Sequence, residues 1–168
     1  MKKLIIGLVL SVGCIATVSA HGAQQHKKPA SKLQKEQKAW GVAGEPKLAT
    51  RTIAINMGDN MRFTPDVLNI KLGETIKFVI NNKGKMLHEL VIGTKQELDS
   101  HAALMLKFPE MEHSEAYMAH VASGKSADIV WTFNRAGDFE FACLIAGHYQ
   151  SGMVGKITVA KPSQNKSS

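Results

Sequence analysis

Cys143-Leu144-Ile145-Ala146-Gly147-His148-Tyr149-Gln150-Ser151-Gly152-Met153 places a thiol, an imidazole and a thioether on one short segment, with four residues between successive members. A trigonal site of two histidines and a cysteine, with a long axial methionine, is an arrangement that suits copper. The residues around the three donors agree with a tight loop between strands. Asp138 to Cys143 precedes it as a β-like run, Gly147 and Gly152 permit sharp turns, and Val154 to Val159 follows as another run.

Working outward, five further short runs combine β-branched or aromatic residues with partial alternation: Thr52 to Met57, Val67 to Leu72, Thr75 to Ile80, Glu89 to Gly93 and Asp128 to Phe133. Turn-forming residues separate them, at Gly73-Glu74, Asn81-Asn82-Lys83-Gly84 and Arg135-Ala136-Gly137-Asp138. Seven short strands predict an all-β sandwich. The stretch from Lys95 to Lys107, with Leu98, Ala102, Leu104, Met105 and Leu106, reads as a helix inserted between strands of the two sheets.

A copper loop with three donors needs a fourth from elsewhere. His88 is the candidate, because it follows the Asn-Asn-Lys-Gly turn and precedes the apolar strand Leu90-Val91-Ile92, where a sandwich would bring a strand end to the loop's pole. Met153 also has a plainer role open to it, since methionine fills irregular gaps in cores. A thiol hydrolase built on Cys143 and His148 fits poorly, because nothing suggests a third group to orient the base.

The chain has 168 residues. Lys2 and Lys3 precede an apolar run from Leu4 to Val18, ending at Val18-Ser19-Ala20, so residues 1–20 read as a secretory signal. That run is about 15 residues, short of the roughly 20 a membrane-spanning helix needs, so no membrane insertion is expected after signal removal. A lipoprotein signal ending at Cys14 is the weaker fit, with Ser11 where a large aliphatic residue is expected. Cleavage after Ala20 would remove Cys14 and leave Cys143 alone in an oxidising compartment, the periplasm. An unpaired cysteine there needs explaining as an intermolecular bridge, a reactive thiol or a metal ligand.

Residues 21–49 read as a flexible leader carrying His and Lys, with a short helix from Ser31 to Trp40; residues 50–161 form the domain and 162–168 a polar tail. The formal charge is +7, and removing Lys2 and Lys3 leaves 7 − 2 = +5. The excess is diffuse, without interleaved aromatics, so no nucleic-acid surface is expected. Cleavage after Ala20 would expose His21 as an N-terminal Cu(II) chelate; cleavage after Ala23 would put His26 third instead. A further set that could bind Cu(I) or Cu(II) is His101 and Met105, four apart on one helix face, with Met111, His113, Met118 and His120 in the loop that follows; the plainer reading of these residues, core methionines and surface histidines, is the favoured one.

These residues resemble the cupredoxin superfamily, whose azurin-like and rusticyanin-like members also separate Cys and His by four residues. The likeness is closest to the periplasmic copper-resistance cupredoxins of proteobacteria. It is carried by Asp59-Asn60-Met61-Arg62-Phe63, Gly73-Glu74-Thr75, His88-Glu89, Met111-Glu112-His113 and Phe139-Glu140-Phe141-Ala142-Cys143, over about residues 50–160. The resemblance implies a Greek-key β-sandwich, one type 1 copper on His88, Cys143, His148 and Met153, and no enzymatic activity. It also implies a role in copper tolerance, with electron transfer between respiratory or denitrification partners as the alternative. A redox partner would dock at the edge of His148, flanked by Leu144, Ile145 and Met153. Many relatives carry Pro where this chain has Ala146, which restores a backbone N–H near the thiolate.

Overall fold

The computed structural model describes residues 35–111 and 113–161. The signal, most of the leader, His21, His26 and the polar tail lie outside the described residues. Within them the strands are β1 (Val42–Ala43), β2 (Arg51–Gly58), β3 (Arg62–Thr64), β4 (Val67–Lys71), β5 (Thr75–Asn82), β6 (His88–Gly93), β7 (Met118–Val121), β8 (Ser126–Thr132), β9 (Gly137–Ala142) and β10 (Val154–Ala160). The helix α1 (Lys95–Lys107) lies between β6 and β7.

Two five-stranded sheets form, in the orders β1-β8-β5-β2-β3 and β4-β10-β9-β6-β7. Most neighbours are antiparallel, but β2 runs parallel to β5 and β4 parallel to β10. Alternation decides which face each strand buries. In β4, Leu68 and Ile70 point inward, and in β10 Gly155, Ile157 and Val159 do so. They meet Ile55, Ile76, Phe78, Ile80, Trp131 and Phe133 from the facing sheet in one apolar core.

All seven strands expected from the sequence are present, and α1 begins and ends where expected. Thr94 caps α1 by accepting a hydrogen bond from the Glu97 backbone N–H, which satisfies a donor the first turn leaves free. The helix does not connect the two sheets, however. It joins β6 to β7, antiparallel neighbours in one sheet, and lies over that sheet's outer face. There Leu98, Ala102 and Met105 pack on Val91, Met118, Ala142 and Leu144. This explains why every residue of β6 is buried: Leu90 and Ile92 face the sandwich interior and Val91 faces the helix.

Three strands were not expected, and each is short. The two-residue β1 pairs with β8, and among the described residues before it, 35–41, none is helical. Trp40, expected in a flexible leader, is 3% exposed; it stacks near Trp131 at 6.4 Å and accepts the Trp131 indole N–H on its carbonyl oxygen at 3.1 Å. The segment β7 was expected as loop; Val121 faces the sandwich core, while Met118 and His120 share the helix side, Met118 buried under α1 and His120 exposed. Its four residues are too few for alternation to be recognised without the partner strand.

Candidate metal centre

Strands β9 and β10 are antiparallel neighbours, so residues 143–153 form the loop of a long hairpin. The Cys143 N–H donates to the Met153 carbonyl at 3.1 Å, and the Met153 N–H donates to the His148 carbonyl at 3.2 Å. Gly147 adopts φ +89°, a conformation that L side chains rarely take, and this lets the chain reverse before His148. Two side chains from outside brace the loop. Arg62 donates to the Ser151 carbonyl at 2.9 Å, and Tyr149 donates its hydroxyl to Asp99 of α1 at 2.6 Å.

His88 opens β6, the neighbour of β9 on its other side. The turn before it is held by Asn82, a fully buried amide that donates to the Met86 and Val121 carbonyls and accepts from the Gly84 N–H. Asp59 then fixes the approach. Its carboxylate accepts from the Lys85 and Met86 N–H groups and lies 3.1 Å from His88 Nε2. A Cβ on Gly84 would overlap Asp59 Oδ1, so the close approach requires glycine there.

Those contacts set the His88 tautomer. The Lys85 N–H, the His88 ring and the Met86 N–H hold the Asp59 carboxyl below its usual range, against some desolvation. An ionised carboxylate only accepts, so Nε2 carries the proton and Nδ1 keeps its lone pair. That Nδ1 is buried with no hydrogen-bond partner. The donor atoms of His88, Cys143 and His148 all lie within 4.8 Å of one another, with Cys143 Sγ 3.2 Å from His148 Nδ1. Met153 is fully buried in the core beside them.

Burial pushes the Cys143 thiol up to about 12, against the opposing N–H groups of Glu89 and Ile145. Burial and the neighbouring His88 lower His148, so its imidazole is neutral near pH 7. The N–H groups at the sulfur are therefore those of Glu89, at 3.4 Å, and Ile145. Ala146, expected from the sequence to supply one, is not among them. Asp59 and Glu89 were not singled out as functional residues. The signal was present in both cases, as a carboxylate opening the Asp59–Phe63 stretch that carries the resemblance and as a glutamate inside an otherwise apolar strand.

The raised thiol has a measurable consequence for the metal-free protein. An unfolded thiol ionises near 9.0, whereas the folded one holds its proton until about 12. The unfolded state thus binds fewer protons between those values, and stability falls as pH rises through that window, being full below it. Chemical denaturation of the metal-free protein between pH 8 and 11 should show this loss, and Cys143→Ala should lack that component of the slope.

A thiolate and two imidazoles, one with an orphaned buried nitrogen and a carboxylate behind it, fit copper in their softness and their orientation. With two packed β-sheets and this trio at one pole, the structure defines a copper-binding β-sandwich of the cupredoxin type. The family described as copper binding proteins, plastocyanin/azurin family, matches residues 49–160, and the chain belongs to it. The chain is 46% identical over 120 residues to the copper-resistant cuproprotein CopI of Rubrivivax gelatinosus, covering 71% of this chain and 73% of that one. It is 33% identical over 187 residues to the copper-resistant cuproprotein CopI of Pseudomonas aeruginosa, covering 94% and 97%. Reduced auracyanin from Roseiflexus castenholzii shares the fold, with a TM-score of 0.57 at 23% identity over 67% of this chain and 98% of that one.

The other expected copper residues are partly assembled. His101 and His113 have ring centroids 4.5 Å apart, and His113 and His120 5.7 Å. Met105 and Met111 line the same pocket as His113 and His120, Met105 from the core side and Met111 more exposed. Met118 is buried under α1 instead, as packing. The expected docking patch also changes. Leu144 and Met153 are buried, leaving Ile145, with the half-exposed Leu87 across the adjacent pocket.

Proposed function

We propose that this protein is a periplasmic copper carrier that holds one type 1 copper and protects the cell against excess copper. In this reading residues 1–20 direct export, 21–49 form a leader, 50–161 hold the copper domain and 162–168 form a tail. Among the described residues no helix is long and apolar enough to cross a membrane. Cys143, His88 and His148 are the strong ligands, and Met153 the weak axial one. The observation that carries the proposal is the buried His88 Nδ1, without a partner, facing a thiol and a second imidazole within 4.8 Å.

Bound copper supplies one-electron exchange between Cu(II) and Cu(I). The protein's part is to keep the donors in place. Asp59 holds the His88 ring, the Glu89 and Ile145 N–H groups face the sulfur, and Arg62 and Tyr149 tie down the loop. A scaffold braced from outside lowers the reorganisation that electron exchange demands. The copper-tolerance role draws on the two relatives named as copper-resistant proteins. A strain lacking the gene should survive poorly on excess copper; unchanged survival beside a respiratory defect would overturn tolerance in favour of an electron shuttle.

The shuttle is the second reading, favoured by the partial exposure of His148 at the pole, where a redox partner would dock beside Ile145. For either role Asp59 is a positioning residue. Asp59→Ala should weaken copper binding by about 10–100-fold, the usual loss when a partner behind a ligating histidine is removed. Asp59→Asn, which can still accept a hydrogen bond from Nε2, should recover part of it in a competition titration against a chelator.

A further inference from the structure

Successive residues of a strand point to opposite faces of a sheet. In β6, His88 turns toward the thiol of Cys143, and Glu89 turns the other way, under the end of α1 and the loop that follows it. Glu89 is 0% exposed, an unusual place for a carboxylate unless it is paired or holds a metal. One oxygen, Oε1, accepts the Leu144 N–H at 2.8 Å. The other, Oε2, has no aligned hydrogen bond, although Nε2 of His120, its cross-strand partner, stands 2.8 Å away.

Next to His120 comes His113, and next to that His101 of α1, at the centroid spacings of 5.7 and 4.5 Å given above. His113 is the informative member. Its Nδ1 lies 3.0 Å from the Met111 carbonyl, which can only accept, so Nδ1 carries the proton. That leaves Nε2 with a lone pair, and Nε2 is buried without a partner. The same device presents His88 Nδ1 to the first site: one nitrogen is tied by an acceptor, and the other is free to ligate. His113 Nε2 is thus an orphaned donor beside His120, whose own Nε2 is paired at 2.8 Å with the buried Glu89 carboxylate.

Glu89 Oε2 and His120 Nε2, 2.8 Å apart, already stand at the separation of two ligands on one ion. Ligand atoms about 2.0–2.1 Å from one metal are about 3 Å apart, and imidazoles bound together have centroids about 5 Å apart. Here the side chains stand in succession as Glu89, His120, His113 and His101, and converge by rotation of the outer rings. We propose that these four residues form a second metal site, which takes Cu(II) through three imidazoles and a carboxylate. Nitrogen and oxygen donors favour divalent copper over its neighbours in the series, and the site has no thiolate. It corrects the set expected from sequence: His101, His113 and His120 stay, Glu89 joins, Met105 and Met111 line the pocket wall, and Met118 is packing under α1.

The proposal goes beyond the type 1 assignment and does not depend on it. It also gives β6 a linking role, since adjacent residues, His88 and Glu89, would serve different metals on opposite faces of one strand. The test is a Cu(II) titration of the full-length chain, with stoichiometry read by metal analysis after gel filtration and the Cu(II) environment by electron paramagnetic resonance. His113→Gln and His101→Gln are compared with the unmutated protein. Each variant should bind one Cu(II) fewer at matched free copper, or bind that equivalent at least 10-fold more weakly, while a signal without thiolate character disappears. Copper bound by the leader is common to all three proteins and cancels in the difference. The visible thiolate band, retained in the variants, reports that the domain is folded. Equal stoichiometry and an unchanged signal in either folded variant overturn the second site; a missing thiolate band in the unmutated protein would instead count against the type 1 site alone.

Discussion

Cys143→Ala should abolish the intense visible absorption of the Cu(II) protein and weaken copper binding by more than the 10–100-fold that follows loss of an outer partner. The band arises from charge transfer between thiolate and copper, and Cys143 is the sole thiol among the described residues. Its sulfur lies 3.2 Å from His148 Nδ1 and faces the Glu89 N–H at 3.4 Å, so no other side chain can replace it. Alanine at this site removes a buried sulfur without introducing a new polar group, and the fold should survive. Absorption titration with Cu(II) checks the expectation. An intense band persisting in the variant, or absent from the unmutated protein, would remove the thiolate from the site.

Trp131→Ala should destabilise the metal-free protein by about 3–5 kcal/mol, the range for emptying a large aromatic from a core. Trp131 is 1% exposed, and its ring lies 6.4 Å from that of Trp40 and 5.9 Å from that of Tyr117. Its N–H also holds the Trp40 carbonyl, so the substitution removes a hydrogen bond and the main packing partner of the segment before β1. Thermal unfolding followed by circular dichroism should show a midpoint lower by about 10 °C or more. Trp131→Phe should cost less, since it keeps most of the buried apolar surface. A shift of only a degree or two in Trp131→Ala would mean that the N-terminal segment contributes little to the fold.

Both expectations involve residues in strong local patterns, yet they differ in how far their partners could be foreseen. Trp131 sits in an evident strand, but nothing in the leader marks Trp40 as its partner 91 residues away. Burial of Trp40 depends on β1 pairing with the edge of β8, and two residues of strand leave no periodicity to detect. His101 and Met105 illustrate the reverse case. Their helical spacing was legible, and they do share a face, but the face is curved: Met105 turns into the packed layer and His101 toward His113.

What the sequence determined by itself was local. The ligand loop, its flanking strands, the helix from Lys95 to Lys107 and the isolated cysteine follow from spacing, alternation and capping over a dozen residues or fewer, where backbone geometry leaves few choices. Tertiary structure decided what depends on chain segments meeting. It placed Asp59 behind His88, across 29 residues, and so chose the histidine's free nitrogen. It set Glu89 against His120 by the register of β6 with β7, and it buried Leu144 and Met153 that local reading had placed on a surface. Such pairings arise because each strand must satisfy its backbone and cover its apolar face with whatever neighbour the topology supplies, and that neighbour is not encoded in the spacing of the strand itself.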